Sequence, residues 1–154
     1  PLLRAALSWN FVLATAICAS LLAQLIKVLL NLFIFHRFIA ERMWGAGGMP
    51  SSHSATVCAM VVATGRYCGV NSPIFAIAAV LSIIVMYDAM GVRYETGEQA
   101  KVLNRMFTEW MDQGFEQFQL PHGKKLKEMV GHTPIEVVTG AALGIVLGFA
   151  MPMV

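Results

Sequence analysis

The sequence predicts an all-α integral membrane protein: a helical bundle of about four transmembrane helices plus an amphipathic helix at the interface. Three observations carry this. Hydrophobic residues make up 57% of the 154 positions and charged residues only 13%, against about a quarter charged in an ordinary soluble domain. Mean hydropathy is +0.65. Four stretches reach or approach the ~20 apolar residues that a helix needs to span a bilayer.

The first stretch runs from about Trp9 to Phe35. The second, about 54–68, is short, and would serve equally as a helix buried by its neighbours. The third, 73–90, starts at Pro73 after a tight Gly-Val-Asn-Ser turn at 69–72. The fourth, about 134–153, starts at Pro134. Between the third and fourth lies a polar segment, 91–133. Within it Val102, Leu103, Met106, Phe107, Trp110 and Met111 recur at helical spacing with charges in the gaps. That pattern predicts an amphipathic helix lying on the membrane, against a partner, or against its own domain. The length allows a single membrane domain over 1–154.

Four crossings place connections 36–52 and 91–133 on one side. Arg37, Arg42, Arg93, Lys101 and further basic residues lie there, against Arg4 and Arg66 on the other. The positive-inside rule therefore assigns the long connections to the cytoplasm or its organellar equivalent. A bacterial inner membrane and a plastid membrane both fit. A net charge of +2 with scattered basic residues is too small to suggest a partner among nucleic acids, and none is expected. Cys18, Cys58 and Cys68 have no metal or redox spacing and read as small apolar packers.

The polar residues inside this apolar frame need reasons. Lys27 lies deep in the first stretch, where a charge must pair, be hydrated or snorkel. It either snorkels to the interface or faces a polar cavity. Residues 47–54 read Gly-Gly-Met-Pro-Ser-Ser-His-Ser. A helix N-terminus there offers free N–H groups to a phosphate, with Ser51 and Ser52 as ligands. Either serine serves equally as an N-cap. His53 is placed to protonate a leaving oxygen. Asp88 and Arg93 end the third stretch as a candidate ion pair, and an Arg fork suits phosphate oxygens. Thr133 to Glu136 has capping-box spacing with Pro134 at the first helical position. Glu136 also stands four residues after His132, where its carboxylate can orient the imidazole. The topology puts His53, Arg93 and His132 near one membrane face.

The segments GGMPSSHSATV (47–57), VMYDAMGVRYETGEQAKVLN (85–104) and LKEMVGHTPIEVVTGAALG (126–144) resemble the divergent branch of the type-2 phosphatidic acid phosphatase superfamily. That superfamily is related to the vanadium-dependent haloperoxidases. The resemblance spans about Gln24 to Gly148. It implies a metal-free phosphatase without a cofactor. His132 is implied as the nucleophile that forms a phosphohistidine, Glu136 as its orienting carboxylate and His53 as the general acid. Lys27, Ser51, Ser52 and Arg93 are implied around the phosphate, with Asp88 in support. Departures are visible too. Ser52 replaces a glycine before the first His, and Glu136 replaces an Asp. The first basic block lacks its Arg-Pro end, where Arg42 is the candidate substitute. Residues 94–131 form a far longer spacer than in the main superfamily.

The expected function is thus a membrane lipid-phosphate phosphatase working without metal. Its partners are the lipid substrate and the bilayer, with a homo-oligomer as an option for sealing the site. One alternative is a non-catalytic membrane protein that binds lipid phosphate or serves assembly. A second is a metal-dependent enzyme or ion carrier using Asp88, Glu95, Glu98 and Glu136 as oxygen ligands.

Overall fold

A computed structural model of the chain describes residues 10–35, 48–114, 125–128 and 130–153, without the side chains of Ile34 and Phe35. Among the described residues five helices follow in order: α1 (Phe11–Phe35), α2 (Ser52–Cys68), α3 (Pro73–Met90), α4 (Val92–Asp112) and α5 (Pro134–Ala150). The described residues contain no strand.

Local chemistry explains the boundaries. Ser51 caps α2, its Oγ accepting from Ser54 N at 3.3 Å. Ser72 caps α3 in the same way, from Phe75 N at 3.2 Å, and Pro73 follows at a position where a missing N–H costs nothing. Gly91 separates α3 from α4. Pro134 opens α5.

The packing is inverted relative to a soluble protein. The largest fully buried side chains are Lys27, Thr15, Ser51 and Ser54. The apolar core is chiefly alanine, with Ala19 and Ala23 of α1 set against Ala55 and Ala59 of α2. Large aliphatic residues point outward instead, such as Leu21 and Leu25 on α1, Ile77 and Ile83 on α3 and Val138 and Val146 on α5. In water this would be an aggregation surface; in lipid it is the expected exterior. Lipid gives helices no hydrophobic reason to associate, so small residues that allow close backbone approach do the work.

The α2–α5 seam shows this most directly. Gly140, Gly144 and Gly148 recur at four-residue spacing on one face of α5. A Cβ on Gly140 would collide with the Ser51 backbone, and one on Gly144 with the Ala55 carbonyl. Ser51 N also donates to Glu136 O at 2.9 Å, so the N-termini of α2 and α5 are locked in register.

By length and composition, the clear spanning segments among the described residues are Phe11–Phe33 and the one that includes α3. At 17 residues each, α2 and α5 are about 26 Å long, slightly less than the ~30 Å hydrocarbon core. α2 is the central element, packed against α1, α3 and α5. The sequence allowed such a buried helix.

α4 has two faces with different fates. Gly97, Ala100 and Asn104 are buried. Asn104 Nδ2 donates to Leu126 O and to Glu128 Oε1, and its Oδ1 accepts from Leu126 N. This straps the segment before α5 along α4. The apolar face, with Val102, Leu103, Met106 and Met111, stays exposed. The helix therefore meets its own domain through its small and polar face, not through the apolar stripe that the spacing pointed to.

Candidate active site

Four chain segments meet at one end of the bundle: the N-termini of α2 and α5, the junction of α3 and α4, and the strap formed by residues 125–128 and 130–133. The strap ends in close backbone contact. His132 N donates to Ala89 O at 3.0 Å, and Gly131 lies so near the backbone of Arg93 and Tyr94 that a Cβ there would collide with it. The chain can thus return to α3 only with a glycine at this point. His132 arrives fixed at its backbone.

The residue is 2% exposed. Nδ1 lies 3.2 Å from Glu136 Oε2. The same oxygen accepts from Thr133 N at 3.0 Å, the carboxylate half of the capping box. Both readings of Glu136 therefore hold at once: it caps α5 and it orients the imidazole. An ionised Glu136 only accepts hydrogen bonds, so the proton of a neutral His132 belongs on Nδ1. Nε2 then carries the lone pair. Nε2 is buried and has no hydrogen-bond partner among the described residues. A buried polar atom without a partner costs about 1–3 kcal/mol, so the open valence calls for a reason.

Nε2 belongs to a ring that lines a cavity of about 350 Å³. His53, Asp88 and Arg93 line it on the polar side, with Ile84, Val85 and Ala89 on the apolar side. The His53 and His132 rings lie 6.1 Å apart, centroid to centroid. Arg93 Nε donates to Asp88 Oδ2, so the predicted ion pair is present and sits in the cavity wall. The exposed Ile84 beside this wall puts the cavity next to the lipid-facing surface of α3.

The other candidates lie elsewhere. Ser51 is wholly buried with its hydroxyl engaged by Ser54, and Ser52 is the first residue of α2, its carbonyl accepting from Thr56 Oγ1. Neither lines this cavity. Lys27 is 2% exposed and does not line it either. Arg42 lies outside the described residues. The acidic set does not converge. Asp88 holds Arg93, Glu98 accepts from Lys101 Nζ at 2.6 Å, and Glu95 is exposed in the first turn of α4. No three His, Cys, Asp or Glu side chains among the described residues gather in a metal-holding arrangement.

Sequence reasoning missed Asn104, Gly97 and Gly131, which deliver His132 to the cavity. It also missed the glycine seam of α5, although the four-residue spacing of Gly140, Gly144 and Gly148 is a readable signal for close helix packing.

Fold and site together define a helical integral membrane protein with a histidine-centred pocket at one end of its bundle. The chain belongs to the divergent PAP2 family, whose model matches residues 8–147. It is similar to YuiD of Bacillus subtilis (strain 168), described as an uncharacterized membrane protein. The two are 38% identical over 144 residues, covering 90% of this chain and 91% of that one. No solved structure matches the chain.

Proposed function

We propose that the protein is a lipid-phosphate phosphohydrolase that works through a phosphohistidine on His132, without a metal. One observation carries the reading: a buried imidazole with Nδ1 held by Glu136 and Nε2 without a partner among the described residues, in a ring that lines a cavity with His53 and Arg93.

The chemistry follows from these positions. Arg93 and the backbone N–H of His53, in the first turn of α2, hold the phosphoryl oxygens, where preorganised donors favour the charge that develops. The His132 Nε2 lone pair attacks phosphorus in line. The phosphorus–oxygen ester bond breaks, and the leaving oxygen takes a proton from His53. Water then attacks the phosphohistidine and gives its proton to His53. The phosphorus–nitrogen bond breaks, releasing inorganic phosphate and restoring both rings. Glu136 stabilises the imidazolium character that His132 acquires. A lipid substrate suits a cavity with Ile84 and Val85 on one wall and charge on the other. By the distribution of basic residues, the site faces the cytoplasmic or equivalent side, and a second copy of the chain completes its rim.

The test is phosphate release from a panel of lipid phosphates by purified protein in detergent with EDTA. Release that persists in EDTA and disappears in His132→Ala is the expected result. Release that depends on added Mg²⁺ contradicts it.

One observation favours a binding-only reading. Arg93 Nε is already committed to Asp88 and the Ser51 hydroxyl to its cap. Saturable binding of lipid phosphate with no release of phosphate is what that reading predicts.

A further inference from the structure

Asp88 and Arg93 both line the cavity with His53 and His132, yet the proposed chemistry uses only the arginine. The two charges stand where their helices disfavour them. Asp88 lies in the last turn of α3 and Arg93 in the first turn of α4. The dipole of a helix disfavours an anion at its C-terminus and a cation at its N-terminus. Nor does the pair hold the fold. The Arg93 and Asp88 side chains are 53% and 40% exposed, and open ion pairs contribute little to stability. The atoms that meet supply a reason. Arg93 donates to Asp88 Oδ2 through Nε, the edge of the guanidinium nearest its stem. Nε carries one N–H and the two Nη atoms carry the remaining four. Among the described residues nothing else accepts from Arg93, so the Nη pair is an unspent fork. Such a fork matches two oxygens of one phosphate. The bond also spans the break at Gly91, where α3 stops and α4 starts, so it ties the arginine back over the end of α3.

We infer that Asp88 is a positioning residue: it holds Arg93 by the Nε edge and so presents the Nη fork to the phosphoryl group. Asp88 itself touches no substrate atom. Its bond to Nε prepares the arginine as a ligand instead of using it up. A lysine at position 93 would have no second edge to hold, so the device requires arginine. The phosphate at the fork rests on the phosphatase reading, whereas the hold of Asp88 on Arg93 does not.

The sign of one substitution separates positioning from plain charge. A carboxylate beside a phosphate site repels the anion, so by charge alone Asp88→Ala should tighten binding. If Asp88 positions Arg93, Asp88→Ala should weaken it. The probes are inorganic phosphate, and phosphatidic acid in mixed micelles, titrated calorimetrically into purified protein in detergent. Asp88→Ala should raise Kd roughly tenfold, the scale of one charge-assisted hydrogen bond, with Tm near that of wild type. Asp88→Asn keeps an oxygen that accepts from Nε and should lose less. In Arg93→Ala, Asp88 has nothing to position and only repels, so adding Asp88→Ala there should leave Kd unchanged or lower it. Tighter binding in Asp88→Ala alone, or the same weakening in both backgrounds, would overturn the inference and leave the phosphatase reading standing. If wild type binds neither probe, the inference falls together with that reading. The hold is also checked without a ligand. The Arg93 ¹⁵Nε–H signal, identified by its absence in Arg93→Lys, should be protected from exchange with water and lose that protection in Asp88→Ala. Unchanged protection would overturn the hold itself.

Discussion

The two ends of the bundle treat their polar groups in opposite ways. At one end Arg66, in the last turn of α2, donates from Nη1 to Gly148 O at 2.6 Å and Met151 O at 2.7 Å. These carbonyls belong to the C-terminus of α5, where helical partners run out, and the guanidinium also lies 5.5 Å over the Phe11 ring. The guanidinium there closes two hydrogen bonds with one nitrogen, as stability alone would favour. At the other end His132 is far more deeply buried than Arg66, yet one nitrogen is bonded and the other has no partner among the described residues, in a ring that lines a cavity. The contrast separates a fastening from a site. A fastening closes its hydrogen bonds, whereas a site keeps one group primed and accepts the cost.

Mutations at the two ends should therefore have different signatures. The largest effect is expected for His132→Ala: lipid-phosphate turnover at background, with the folded fraction by size exclusion near that of wild type. His53→Ala should lower turnover by roughly 10²–10⁴-fold. The loss should shrink for substrates with acidic leaving groups such as p-nitrophenyl phosphate, because these need no proton. Gly140→Ala sits between the two behaviours. The new methyl meets the Ser51 backbone at the locked N-termini, so thermal melts in detergent should show a loss of about 1–3 kcal/mol, together with reduced turnover. The smallest effect is expected at the far end. Arg66→Ala leaves two carbonyls without a donor and should cost about 1–2 kcal/mol, while turnover per folded molecule stays at the wild-type value. A large turnover loss in Arg66→Ala with normal stability would erase the distinction between the ends.

The same contrast explains what could be read before the structure. Chemistry written in local spacing was legible. His132 and Glu136 sit one helical turn apart, and caps at Thr133 and at one of Ser51 and Ser52 follow from residue type at the start of an apolar run. His53 and Arg93 were placed on the same face by counting crossings, and the structure sets both in one cavity with His132. Lys27 was legible as an anomaly, but its neighbours were not, because its contact with Gly48 joins separate parts of the chain. Asn104 was invisible for the same reason: nothing in a solvated-looking helix marks one asparagine as the clamp on Leu126 and Glu128. The apolar stripe of α4 was correctly periodic, yet periodicity does not say what covers a face. The structure buries the opposite side of that helix.

The central claim is that the open nitrogen of His132 takes up phosphorus. The most direct test is to mix purified protein with a ³²P-labelled lipid phosphate in EDTA, quench in alkali within the first turnovers, and map any label by mass spectrometry. The account predicts an acid-labile, alkali-stable phosphate on His132, absent in His132→Ala. Rapid phosphate release with no label, or a label on another residue, would contradict it.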